Sequence, residues 1–292
     1  MAEYYGKPVY RLSVGQIELD CLVEAGPRIV RLCYKDSQNL LAEVPQTTSP
    51  TLYGDYHFWG GHRLWHAPES MPRSYIPDDE GVTVIKTPNG VILDGKTEPA
   101  THIRKKIEIR IDPSRPAVSL QHTLMNEGLW EIELSPWAIT MFRLGGVAIL
   151  PMWHPINQND LLPNRHLALW SYSHIQDSRL TLSDDYILIK AQADHPPFKI
   201  GTFDQSGWIG YWMDGILFRK RFDVFPHRLH PDHNSNAEIY CNDKLIELES
   251  LAPLTKLAPG GSVEHDETWE FYDQLEVDFI PASLRQMIES LG

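Results

Sequence analysis

Trp208-Ile209-Gly210-Tyr211-Trp212-Met213-Asp214-Gly215-Ile216-Leu217-Phe218-Arg219-Lys220-Arg221-Phe222 is the stretch that decides the fold. Two apolar, aromatic-rich runs flank Asp214-Gly215, and both turn residues tolerate the positive φ that a type I′ turn requires. The stretch therefore predicts an antiparallel hairpin. The same grammar extends outward in both directions. Ala237–Cys241 and Leu245–Leu251 flank Asn242-Asp243, while Ile103–Ile111 and Ala117–Met125 flank Pro113-Ser114-Arg115-Pro116. Near the start, Val9–Val14, Ile17–Val23 and Arg28–Tyr34 form three short runs, and Val82–Lys86 and Val91–Leu93 flank Pro88-Asn89-Gly90. Hairpin-linked consecutive strands predict an all-β fold built as a large antiparallel β-sandwich.

One segment has helical spacing. After Pro281, residues Leu284, Met287, Ile288 and Leu291 recur at helical intervals and Gly292 follows, which predicts a short C-terminal helix over 282–291. Two stretches, 45–79 and 151–165, read as long irregular loops, and long loops in compact β domains commonly carry function. No repeat or linker divides the chain, so residues 1–292 read as a single domain.

The 292 residues carry 26 Lys and Arg against 39 Asp and Glu, a net charge of −13. That balance argues against nucleic acid, whose phosphates need clustered cations. No run approaches the length of a membrane span, and the N-terminal stretch has no signal-like apolar core. Cys21, Cys33 and Cys241 lie in strand patterns without metal spacing, which predicts reduced thiols in a cytoplasmic protein. His227, His230 and His233 recur at three-residue steps, but Pro226 and Pro231 break the helix that would align them. No metal and no cofactor are expected. Phosphate-loop, dinucleotide and nucleophile-elbow motifs are missing from the sequence.

Chemistry-bearing residues concentrate in two places. Phe58 to Glu69 reads as a short loop presenting His62, Arg63, Trp65 and His66; guanidinium donors suit hydroxyls or carboxylates, and indole faces suit the C–H face of a sugar. In the Ala237–Leu251 hairpin, strand alternation puts Glu238, Tyr240, Glu247 and Glu249 on one face. Carboxylates crowded on one face raise each other's proton affinity, as a general base near neutrality needs; a solvated outer face gives the same pattern. His154, beside Trp153, lies in the second long loop and can reach the same pocket.

These segments resemble, in order along most of the chain, the galactose mutarotase-like superfamily that includes the aldose 1-epimerases. Gly61-His62-Arg63, followed by Thr87-Pro88-Asn89-Gly90 and Leu93-Asp94-Gly95, is similar to the early substrate-arginine region. His122-Thr123-Leu124-Met125-Asn126-Glu127-Gly128 resembles an H-T-L-x-N-x-G strand and turn. Leu248-Glu249-Ser250 with Leu257-Ala258-Pro259-Gly260 is similar to the L-E-T … L-x-P-G ending, and Gly60 to Glu69 matches a loop of uncharacterised members. The resemblance implies a two-sheet sandwich with a sugar site, Glu249 as catalytic base and Arg63 as a substrate contact. The epimerases' histidines have no counterpart here: Leu93-Asp94-Gly95-Lys96 replaces an H-G-G motif, and Trp137 stands in the other comparable strand. His66 is the substitute acid. His62, Trp65, Trp137, His154, Trp212 and Glu238 complete the expected contacts to a small sugar. Two functions follow: an aldose 1-epimerase-like mutarotase working by general acid/base catalysis without a cofactor, or a non-catalytic carbohydrate-binding protein on the same sandwich. Neither reading sets the oligomeric state.

Overall fold

The computed structural model describes residues 2–152, 159 and 161–291. The expected antiparallel architecture is present. One sheet of 11 strands and one of ten face each other, and a two-stranded ribbon forms a small sheet of its own. The deciding hairpin forms as Trp208–Met213 and Ile216–Phe222 in antiparallel register, with Asp214 at φ 54° and Gly215 at φ 78° in the turn. Ile209, Tyr211 and Met213 enter the main core between the sheets. Trp208 and Trp212 alternate to the outer face, where the helix Pro281–Ser290 covers them with Leu284 and Ile288. Along the first sheet, Leu19, Leu32, Ile239, Ile246 and Leu248 meet Val91, Ile107, Leu120 and Phe271 of the second. This shared apolar interior supplies the largest stabilising term.

The expected loop over 45–79 is a correction. It contains the strands Glu43–Thr51, Gly54–Gly60 and His62–Ala67. His62–Ala67 pairs with Arg28–Tyr34 on one side and Ile132–Arg143 on the other, well inside the first sheet. All six of its residues are buried, so the polar-out alternation that marks a half-exposed strand is missing. Gly60 and Gly61 make the entry to this strand, at φ 96° and 75°. A Cβ on Gly61 would lie 1.9 Å from the Ile29 carbonyl oxygen, so only glycine lets the chain pass here.

Strand parity decides which residues reach which side. On the first sheet, Arg63, Trp65, Trp137, Lys199, Glu238, Tyr240, Glu247 and Glu249 face away from the core. Their neighbours His62, Leu64, Ala138, Phe198, Ile239, Leu248 and Ser250 face inward. The ribbon covers one part of this set, Tyr56 and Phe58 packing against Trp65, while Trp170 and Tyr172 lie against Lys199 and Tyr240.

Candidate functional site

A cavity of about 550 Å³ opens over the outer face of the first sheet, lined by Phe58, Arg63, Trp65, Glu69, Tyr75, Trp137, Trp170, Tyr172, Lys199, Tyr240 and Glu247, among others. Seven of its 17 lining residues are aromatic. The Trp65 indole is fixed from behind, since its Nε1 donates to the Tyr56 hydroxyl at 3.0 Å. That hydroxyl also accepts from Arg28 Nη2 at 2.9 Å, and Arg28 is wholly buried and paired with Asp78 at 3.0 Å. The ribbon thus clamps Trp65 against Trp137, with the two ring centroids 5.4 Å apart.

Arg63 lies on that indole, its guanidinium carbon 4.2 Å from the ring centroid. Nη2 reaches Glu247 Oε1 at 3.3 Å, whereas Nε and Nη1 are buried without a partner. Buried donors left unpaired cost more than a hydrogen bond returns, so a site that keeps them is one built to be filled. Glu247 is pushed up to about 7 by burial, which outweighs the lowering influence of Arg63; the Glu249 charge adds to the rise. A carboxyl in the cavity is therefore poised to exchange a proton at neutral pH.

Behind this surface sits a charge cluster. Lys199 Nζ lies 2.7 Å from Glu249 Oε2 and 2.8 Å from Glu238 Oε2, and 4.6 Å from the ring centroids of both Trp137 and Trp170. Trp137 Nε1 donates to the same Glu249 oxygen at 2.6 Å, leaving Oε1 without a partner. Burial alone would lower Lys199, but the two carboxylates outweigh it and hold the amine charged. Glu238 Oε2 is ion-paired with the same ammonium, while Oε1 has no hydrogen-bond partner. Burial first, with the Glu249 and Asp232 charges, raises its proton affinity well above the usual carboxylate range against the pull of Lys199.

The structure brings together five of the residues singled out from sequence: Arg63, Trp65, Trp137, Glu238 and Glu249. It separates three. His62 and His66 share the core-facing parity of their strand, opposite Arg63 and Trp65. His62 hydrogen-bonds His122 at 2.8 Å between the sheets, and His66 lies 3.8 Å from Glu98. His66 is therefore not across a pocket from Glu249, because a residue one step along a strand points through the other face. Trp212 is on the second sheet beneath the C-terminal helix, its Nε1 donating to the Leu275 carbonyl at 3.1 Å. His154 lies outside the described residues. Among the described residues no histidine lines the cavity. Sequence reasoning missed Lys199, whose signal was a lone cation inside the apolar strand Phe198–Thr202. It grouped Glu247 with the polar face but did not single it out.

Between the sheets, His62, His122 and Glu267 bring their ligand atoms within 4.8 Å of one another. Glu267 Oε1 is 2.8 Å from Lys220 Nζ and accepts from Ser250 at 2.5 Å, while Oε2 accepts from Trp269 at 2.9 Å. Lys220 also donates to the carbonyls of Ala138 and Leu248, each at 3.1 Å. The cation is thus supplied by the chain, and the network is a satisfied polar strut through the core.

No family model and no curated protein matches the sequence. Solved structures do. An Escherichia coli K12 protein provisionally named an aldose 1-epimerase superposes with a TM-score of 0.55 at 13% identity, over 92% of this chain and 100% of its own. A galactose mutarotase-like protein from Lactobacillus casei gives 0.51 at 10% identity, over 91% and 100%. A galactose mutarotase related enzyme from Lactobacillus acidophilus gives 0.52 at 7% identity, over 93% and 100%. At such identities the likeness is one of fold alone: the two-sheet antiparallel sandwich is similar in architecture to those of galactose mutarotase-like proteins.

Proposed function

We propose that the cavity over the first sheet is a carbohydrate site and that this protein is carbohydrate-active, with recognition of a sugar ring as the function its geometry supports best. Arg63 carries the reading. Two buried guanidinium donors lack partners beside the Trp65 indole, in a cavity walled by aromatic rings. Planar donors suit adjacent ring hydroxyls, and flat indoles suit the apolar face of a pyranose. The free thiols Cys21, Cys33 and Cys241 support a reducing compartment, in keeping with the cytoplasm. Among the described residues no helix is long and apolar enough to cross a membrane.

Calorimetric titration with glucose, galactose and a wider panel of free aldoses tests the reading. Arg63→Met is expected to weaken binding by about tenfold or more. Trp212→Phe, on the other sheet, is expected to leave binding unchanged. If no sugar binds, or if Arg63→Met binds as wild type does, the reading is overturned.

A mutarotase reading is favoured by one further observation, the Glu247 carboxyl held to about 7 inside the cavity. Interconverting anomers needs one group to take the C1 hydroxyl proton and another to protonate the ring oxygen, after which the ring opens, the C1–C2 bond rotates and closure reverses the roles. Each positioned transfer is worth roughly 10²–10⁴-fold. With His66 on the opposite face, Glu247 is the proton-exchanging carboxyl that lines the cavity, while Glu249, the base that the resemblance names, stands behind the wall with its Oε1 unpartnered. Exchange NMR on each sugar that binds separates the two functions. Interconversion above the buffer rate that is lost in Glu247→Gln supports catalysis; rates equal to buffer leave a binding protein.

A further inference from the structure

A second cavity, of about 300 Å³, lies at one end of the sandwich, lined by His66, Pro72, Arg73, Ile76, Ile103 and Leu134 among others. It shares no lining residue with the carbohydrate site. Its wall is mostly hydrocarbon, but two polar side chains in it keep ring or guanidinium nitrogens without a hydrogen bond. His66 is 1% exposed and neither ring nitrogen makes a hydrogen bond. Arg73 has a buried Nε with no acceptor, while its Nη2 donates to the Pro68 carbonyl.

The imidazole has a defined polarity. Nε2 lies 3.8 Å from Glu98 Oε2, and Glu98 is itself paired with Lys105 and bonded by the Thr101 hydroxyl. The carboxylate favours the tautomer with the proton on Nε2, which leaves Nδ1 as a bare acceptor. Burial lowers the His66 proton affinity against the pull of Glu98, so the ring is neutral near pH 7. The cavity therefore offers one buried acceptor, one guanidinium donor and an apolar chamber. The nearby carboxylates of Glu98 and Glu133 count against an anionic occupant.

We propose that this end cavity is a second, separate binding site for a small apolar molecule bearing a hydroxyl group, a phenol or an alcohol. The hydroxyl donates to His66 Nδ1 and its oxygen is open to the Arg73 Nε–H, while Ile76, Ile103 and Leu134 enclose the hydrocarbon body. A hydrocarbon of the same shape loses the polar contact and leaves His66 unsatisfied. A carboxylate brings a charge against Glu98 and Glu133.

Fluorine NMR titration of the full chain with 4-fluorophenol, 4-fluorotoluene and 4-fluorobenzoate tests the proposal, with 4-bromophenol soaked into crystals to locate the site by anomalous scattering. The phenol is expected to bind about tenfold more tightly than either competitor, one hydrogen bond's worth. Bromine density is expected beside His66. His66→Phe removes the acceptor and should bring phenol and toluene to within about twofold of each other. Where that buried substitution prevents folding, Ala100→Trp, on the exposed rim of the cavity, should block both ligands while leaving sugar binding intact. The proposal is overturned if 4-fluorotoluene or 4-fluorobenzoate binds as tightly as 4-fluorophenol, if none binds, or if the bromine lies elsewhere.

Discussion

Lys199 places its ammonium 2.7 Å from Glu249 Oε2 while both side chains are almost fully excluded from solvent. The residue that resemblance names as a catalytic base is therefore tied to a cation that the sequence pattern did not reveal. Lys199 also serves Glu238, so one positive charge is shared by two buried carboxylates. Removing one member of such a cluster strands the others in a low-dielectric site, which costs far more than the pairing contributes.

Lys199→Met is accordingly expected to destabilise the fold by about 3–5 kcal/mol near neutral pH. The sign of its pH dependence follows. Without the cation, Glu238 takes up a proton still more readily when folded than when unfolded, so the variant gains stability as pH falls. Urea denaturation at pH 8 and pH 5 should show the larger deficit at pH 8. An equal deficit at both would mean that the lysine's stem, not its charge, matters.

Glu247 should titrate in the native state with a midpoint of about 7 rather than its ordinary 4.5, because burial dominates over Arg63. The unfolded chain loses this proton first, so the group's contribution falls as pH rises from 4.5 to 7, by on the order of 3 kcal/mol, and is level above. Carbon-detected NMR of side-chain carboxyls can follow it directly. Arg63→Met removes a lowering influence and should move the midpoint upward; a midpoint that stays or falls would contradict the assigned electrostatics.

Lys220→Met is expected to be severely destabilising, by about 3–5 kcal/mol, because it leaves Glu267 ionised and buried among Ser250, His265 and Trp269. Pairing it with Glu267→Gln should recover a large part of that loss, since an amide tolerates burial better than a carboxylate. Thermal or urea denaturation of the two single variants and the double variant measures this coupling. Additive losses would show that the ion pair is not the unit.

The fold was legible because turn chemistry and alternation agree. Trp208–Met213, Ile216–Phe222, Ala237–Cys241 and Leu245–Leu251 have the bounds that their turns and periodicity predict. His62–Ala67 was not legible, since a strand buried on both faces and introduced by Gly60-Gly61 has the composition of a functional loop. That misreading carried into the site. In a loop, His66 can swing toward Glu249; on a strand its parity, opposite to that of Arg63, forbids it. Glu238, Glu247 and Glu249 did share a face as their alternation required, but that face is covered by distant segments rather than solvated. Cover by a distant segment leaves no local trace in a sequence, and neither does a pairing between Lys199 and a strand some 50 residues away.

His265 supplies the clearest test of the core strut. It packs between the sheets with Nε2 2.7 Å from Ser250 Oγ, and that hydroxyl donates to Glu267. Since the hydroxyl proton is committed to the carboxylate, the imidazole must be the donor, neutral and protonated on Nε2. Burial, with help from the His122 and Lys220 charges and against the pull of Glu267, depresses its proton affinity from 6.5 to about 3. The sign is fixed by the unfolded chain, which takes up this proton near 6.5 while the folded protein resists until about 3. Stability from this group is therefore complete above 6.5 and lost as pH falls toward 3, by on the order of 5 kcal/mol. His265→Gln keeps an N–H for Ser250 but has nothing to protonate. Its stability at pH 7 should lie below wild type, and its decline between pH 6.5 and pH 4 should be visibly shallower. Other groups titrate in the same window, Glu247 with the opposite sign, so the difference between the two curves is the quantity to read. Parallel curves would show that His265 does not contribute the acid sensitivity of the sandwich.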